Sequence, residues 1–179
     1  MIYRFRAILD THEDVFRNIE IEASSTMEDF HNAITQAFGF EGQEMASFYV
    51  SNEIWEQGEE IALFDMGEGE DTVRTMSETI LEDAVWAEQP RLLYVYDFLS
   101  MWTFMVELAE ITDPEPGMPY PNLMYSHGEI PAQAPEKEFI AEKIDDDGNF
   151  EEDEDFDAND YEDLDFDENW NWFLLGIRH

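Results

Sequence analysis

Tyr3, Phe5, Ala7 and Leu9 alternate with Arg4 and Arg6 at the start of the chain. Alternation with period two buries one face of an extended backbone and wets the other, which predicts a half-buried β-strand. Val15, Ile19 and Ile21 alternate with Asn18, Glu20 and Glu22 in the same way. The polar stretch Asp10 to Asp14 lies between the two runs, so they read as an antiparallel hairpin. The period then changes. Met27, Phe30, Ile34, Ala37 and Phe38 recur at helical spacing, and Gly39 stands where a left-handed C-terminal cap belongs. Ser25 and Glu28 have the spacing of a capping box, in which each side chain satisfies a free backbone N–H of the first turn. The helix is expected over residues 26–38.

Met45 to Val50 reads as a short strand, and Trp55 with the run Ile61 to Phe64 as the material of another. A loop rich in Gly and Glu spans Asp65 to Asp71. Met76, Ile80, Ala84 and Val85 share one helical face, which predicts a second helix over residues 76–87, ended by Pro90. Residues 91–97 and 101–109 are aromatic and aliphatic on both faces. Such runs suit central strands covered on both sides, joined here by a turn at Asp97 to Ser100. Six of the seven prolines fall between Thr112 and Pro135, which bars a long helix or an inner strand there. We expect an ordered extended segment, followed by a short helical turn at Lys137 to Lys143.

Charge changes the picture from here on. The chain of 179 residues carries 45 acidic and 8 basic side chains, a formal net charge of −37. Residues Asp145 to Glu168 hold 15 of the acidic residues and no basic one, with Phe150, Phe156, Tyr161, Leu164 and Phe166 between them. Like charges at this density oppose compaction, so the run reads as a disordered acidic tail. It ends differently, because Trp170, Trp172, Phe173, Leu174, Leu175 and Ile177 form an apolar terminus that is costly to leave in water. The expected organisation is a single α+β domain over residues 1–144, the acidic tail over 145–169 and the apolar segment over 170–179. In the domain, a mostly antiparallel sheet carries two or so helices packed against it.

The same charge excludes function classes. Nucleic-acid binding depends on Lys and Arg displacing counterions from phosphate, and this surface repels phosphate instead. Direct binding to nucleic acid or to an anionic membrane is therefore not expected, and a basic protein is the natural electrostatic partner. Cysteine is absent, which removes disulfides, thiolate metal sites and a Cys nucleophile. The chain enters a strand pattern without a basic then apolar leader, and no run has the length of a membrane span, so a cytoplasmic protein is expected.

Four stretches resemble the plasmid pRiA4b ORF-3-like family, also met under the label of transposon passenger proteins of TnpR type. They are YRFRAIL with VFRNIEI, TMEDFHNAITQAFGF, LLYVYDFLSMWTFMVEL and PYPNLMYSHGEIPAQAP. Tyr96, Asp97, Phe98 and Trp102 fit the family's Tyr-Asp-Phe…Trp strand pair. Leu99, Ser100 and Phe104 stand where it usually shows Gly, Asp and His, and Pro131-Ala132-Gln133 replaces an acidic segment. The resemblance covers about residues 1–140 and implies a mostly antiparallel sheet with helices against it. It implies no activity. A recombinase reading of the TnpR label fails physically, because six scattered arginines in so acidic a chain make no groove-binding module.

Candidate chemistry is thin. Asp97, at the end of an apolar strand, is a candidate ligand or general base, and His127 is the histidine that would join it in a polar site. Beside this stands the plainer reading of Asp97 as a turn residue bonding its own backbone. His31 is expected to be a solvated helix-face histidine. Asp145-Asp146-Asp147-Gly148 fails the EF-hand spacing, since Gly falls fourth rather than sixth. No motif calls for a cofactor or a resident metal. The leading expectation is a non-catalytic protein-interaction domain whose tail contacts a partner through Phe156, Phe166, Trp170, Trp172 and Phe173. In one version the tail mimics nucleic acid on a basic protein. The alternatives are a hydrolase-like or metal-dependent enzyme with a degenerate site near Asp97, and weak divalent-cation binding by the tail.

Overall fold

The structure, a computed structural model, describes residues 1–67 and 72–136. Strands β1 (Ile2–Leu9) and β2 (Phe16–Glu22) form the expected hairpin, with Ile2 opposite Glu22 and Ile8 opposite Phe16. Helix α1 (Met27–Phe38) follows, and Gly39 closes it in the left-handed region at φ 78°. Its N-cap is Thr26 rather than Ser25. The Thr26 hydroxyl accepts from the Asp29 N–H at 3.0 Å, and the Asp29 carboxylate accepts from the Thr26 N–H at 3.0 Å. The shift by one residue has a local cause. The Ser25 N–H is already donated to the Glu22 carbonyl in the turn off β2, so the extended cap conformation falls on Thr26.

β3 (Ala46–Ser51) and β4 (Glu60–Ala62) pair antiparallel, and β5 (Arg74–Thr75) adds a short parallel edge to β4. Trp55 is not in a strand. It lies at φ 60° in the turn after β3, where the Asn52 side-chain carbonyl accepts from the N–H groups of Ile54 and Glu56. The second helix is a single turn, α2 (Leu81–Ala84), and not the helix over 76–87 that periodicity predicts. The preceding backbone has another task. The Met76 and Thr79 carbonyls accept from the first N–H groups of α1, at Glu28 and Met27. Helix α1 otherwise leaves these donors free, so satisfying them overrides the local preference of residues 76–80.

β6 (Arg91–Tyr96), β7 (Trp102–Thr112) and β8 (Asn122–His127) complete one eight-stranded sheet, in the order β5-β4-β3-β6-β7-β1-β2-β8. Every pairing except β4 with β5 is antiparallel. β6 and β7 hold the two middle places, as their two-sided hydrophobicity predicts. They are not sandwiched between helices, however, because α1 and α2 feed the same core. The Pro-rich segment supplies the edge strand β8. No helix among the described residues is long and apolar enough to cross a membrane.

The core lies between α1 and the sheet and is largely aromatic. Phe5 meets Phe30 at 4.3 Å between ring centroids, Phe48 meets Tyr94 at 4.7 Å, and Phe38 meets Phe104 at 4.7 Å. Tilted contacts of this kind fill volume with few rotatable bonds and add to the burial energy.

Candidate functional site

Alternation along the strands sends Tyr3, Phe5, Ala7 and Leu9 into the core and turns Arg4, Arg6 and Ile8 to the opposite face of the sheet. Register then builds a polar row across that face. Arg91 stands opposite Glu107, Glu107 opposite Arg6, and Arg6 opposite Asn18. Arg6 Nε donates to Asn18 Oδ1 at 2.9 Å, and its guanidinium lies 4.5 Å over the Phe16 ring. Arg91 Nε lies 3.4 Å from Glu107 Oε1, an ionic contact rather than a full hydrogen bond. Burial raises the Glu107 carboxyl, and the positive charges of Arg91 and Arg6 oppose that rise. A second row joins Arg4 to Glu20 and to Glu110, each at 2.8 Å. Three of the six arginines are thus committed to carboxylates or an aromatic ring on this face. The row is a cross-strand brace.

The two residues of the candidate polar site do not meet. Asp97 sits at φ 58° in the β6–β7 turn, and its Oδ1 accepts from the Leu99 N–H at 3.1 Å. Hydrogen bonds from the Ser100 side chain and from the Leu99 and Ser100 backbone hold its carboxyl below the usual range. That is the work of a turn residue, and the same turn leaves the Leu99 side chain 96% exposed. His127 closes β8, with its ring stacked 5.2 Å from that of Phe16. From β6 to β8 there are four interstrand steps of about 4.8 Å, so roughly 19 Å separates the two strands. Among the described residues no group of three or more His, Asp or Glu is placed to hold a metal ion. Phe156, Phe166, Trp170, Trp172 and Phe173 lie outside the described residues, as do the acidic run and the turn expected at Lys137 to Lys143.

His31 departs from the solvated helix-face position expected of it. It is 2% exposed rather than solvated, and its Nδ1 lies 2.7 Å from the Tyr94 hydroxyl. Burial pushes its pKa down to about 4, and burial raises the Tyr94 hydroxyl well above its ordinary value. Both groups are therefore neutral at pH 7. We assign Tyr94 as donor and Nδ1 as acceptor, which gives the phenol proton a partner inside the core.

Sequence reasoning missed two features. The first is Arg17, which is 8% exposed and forms no ion pair among the described residues. Nη1 donates to the carbonyls of Phe16 at 2.9 Å and His127 at 2.7 Å, Nη2 to Gly128 at 3.2 Å, and Nε to Ala37 at 3.1 Å. It ties β8 to the last turn of α1, which has no basic residue of its own to meet its free carbonyls. The second is the exposed edge that β8 presents within the expected extended segment. Leu123, Met124 and Tyr125 are 45%, 45% and 52% exposed on an edge strand. Beside it a groove of about 240 Å³ opens between α1 and β8, lined by apolar Ile19, Ala33, Ala37, Pro121 and Leu123 and by polar Gln36 and Asn122. The signal for this edge was present in sequence, as the uncharged stretch Pro116 to Gly128 in a very acidic chain.

A family model described as plasmid pRiA4b ORF-3-like protein matches residues 1–170. The match reaches past the four stretches that carry the resemblance and takes in the acidic run. Among solved structures, a protein of unknown function from Methanosarcina mazei Go1, MM3350, superposes with a TM-score of 0.61 at 23% identity. The superposition covers 70% of this chain and 68% of that one, a likeness of fold. No curated protein matches the chain.

Proposed function

This chain belongs to the plasmid pRiA4b ORF-3-like family, and we propose that it works as a non-catalytic cytoplasmic protein-interaction domain whose acidic, aromatic tail contacts a basic protein partner. The observation that carries this reading is the order of residues at the end of the chain. Fifteen carboxylates between Asp145 and Glu168 are followed by six large apolar residues between Trp170 and Ile177. Charge at this density attracts a basic surface over distances of a Debye length, and aromatic anchors then supply short-range binding energy. Phe156 and Phe166 lie inside the acidic run, so the anchors are spread along it.

Two placements in the domain favour this reading over an enzyme. Asp97 spends its carboxylate on its own turn, far across the sheet from His127. The buried histidine His31 is neutral and faces a phenol rather than a nucleophile. General acid–base or nucleophilic catalysis needs such groups within hydrogen-bond reach of one another.

The direct test places a photo-crosslinking amino acid at Phe156, Phe166 or Trp172 of the full-length protein in cells. The reading expects one basic protein to be trapped from these positions and not from a control position at Leu99. Equal labelling from the tail and from Leu99, with no species in common among the tail positions, would remove the tail as contact element.

A further inference from the structure

Among the described residues the two edges of the sheet, β5 and β8, are unlike. β5 is two residues long, too short to template another strand. β8 is six residues long, and natural edges of that length are usually blunted by charge, proline or a bulged twist. β8 carries one such device, a bulge at Met124, left over between Tyr125 opposite Asn18 and Leu123 opposite Ile19, and Pro121 stands just before its first residue. No charged residue occurs from Pro116 to Gly128, thirteen positions in succession and the longest such run in the chain.

β8 is also firmly held. Arg17 donates to the His127 and Gly128 carbonyls at one end, and Asn122 Nδ2 donates to the buried Glu20 carboxylate at 3.0 Å at the other. Gly128 is at φ 75°, and a Cβ there would run into the Asp14 carbonyl and Val15, so the chain passes tightly against the β1–β2 turn. A fixed edge loses little conformational entropy when a further strand pairs with it. Each face adjoining the edge has a distinct receptor for a side chain. On the helix side the groove runs beside Leu123, between Ala33 and Ala37 of α1 and Pro121. On the other side Tyr125 and His127 flank the Phe16 ring at 5.8 and 5.2 Å.

We propose that β8 is a docking edge for an extended segment of a partner protein, an apolar strand bracketed by lysine or arginine. Main-chain hydrogen bonds to β8 supply affinity, and alternate side chains enter the groove and lie against the aromatic row, which supplies specificity. Charge complementarity fixes the flanks. The uncharged strand is bracketed by exposed carboxylates, Asp113 and Glu115 on the approach and Glu13, Asp14 and Glu129 at the far end. The same charge argues against a second copy, since pairing β8 with its own image brings together two chains of net charge −37. This docking uses no residue of 145–179 and does not depend on the tail contacting anything.

The test uses a displayed library of random peptides about 12 residues long, enough to span six paired residues and both flanks. It is selected in turn on the full-length protein and on full-length L123E. Enriched peptides are expected to alternate apolar residues between Lys or Arg flanks. They should bind the wild type about tenfold or more tighter than L123E, and should slow amide exchange across Asn122–His127. M124E repeats the comparison should L123E fail to fold; both side chains are 45% exposed. Peptides that bind both proteins equally and leave β8 exchange unchanged are held by carboxylates elsewhere, and this outcome overturns docking at β8 while leaving the tail reading standing. A doubling of the wild-type mass in sedimentation, abolished by L123E, assigns the edge to a second copy and also overturns it. Loss of the tail contact alone would leave peptide binding at β8 intact.

Discussion

The Tyr94 hydroxyl of β6 lies 2.7 Å from Nδ1 of His31 on α1, and both residues are buried in the aromatic core. A neutral imidazole is built into the domain, and its pKa has been pushed from 6.5 to about 4 by burial. In the unfolded chain the same group takes up its proton near pH 6.5. The stability it contributes is thus intact above that pH and is lost as pH falls through 6.5 towards 4. The expected loss is on the order of 1–2 kcal/mol between pH 7 and pH 5. Denaturant melts at the two pH values check this. H31Q should be less stable at pH 7 but should show a flatter change with pH, carboxylate effects being common to both proteins. Y94F should cost about 1–2 kcal/mol at pH 7, because it leaves Nδ1 buried without a donor.

Arg17 binds four backbone carbonyls and lies 4.8 Å over the Phe38 ring. R17M keeps most of the aliphatic stem and removes every donor. A loss of about 2–4 kcal/mol is expected, as for other buried multiply bonded groups. Hydrogen exchange should locate part of it, with the amides of β8 protected less than those of β6 and β7. Uniform loss of protection over the sheet would show that Arg17 stabilises the domain as a whole rather than fastening its edge.

Asp97 adopts φ 58°, a conformation that Asn tolerates nearly as well as Asp and that Ala does not. D97N should therefore leave stability within about 0.5 kcal/mol of wild type, because its side-chain carbonyl still accepts from the Leu99 N–H. D97A should cost about 1 kcal/mol or more. Thermal melts of the three proteins separate a turn residue from a group kept for its charge, for which D97N and D97A would behave alike.

A net charge of −37 repels itself in the compact state. Melting temperature should rise as sodium chloride is raised from about 10 mM to about 300 mM, the range over which the Debye length falls from about 30 Å to below 8 Å. A melting temperature that falls with salt would mean that the Arg–Glu rows on the sheet contribute more than self-repulsion costs.

How much of this was legible in the sequence follows the range of the interactions. β1, β2, α1, β6 and β7 announced themselves, because their patterns arise from one face packed against one core. Residues 76–87 misled because the carbonyls of Met76 and Thr79 answer to the N–H groups of Glu28 and Met27 at the N-terminus of α1, far earlier in the chain, and local periodicity cannot register that demand. His31 misled in a similar way. The helix face it occupies looks mixed in sequence, and only the register of β6 puts a tyrosine hydroxyl opposite the imidazole. The separation of Asp97 from His127 was invisible, since the order β6-β7-β1-β2-β8 is a property of the whole sheet. The edge strand was half legible. Proline content barred an inner strand, but the exposed Leu123, Met124 and Tyr125 became informative only once nothing among the described strands paired outside them.

The proposed tail contact is tested most directly by affinity capture with the full-length protein and full-length W170A/W172A/F173A from one native lysate. Each is run at about 50 mM and about 500 mM salt, on either side of effective screening. A basic protein is expected to be retained by the wild type at low salt, released at high salt, and much reduced on the tail variant at both. Recovery of the same species by both proteins at both salt concentrations, or of nothing by either, would contradict a tail that binds by charge and aromatic anchors.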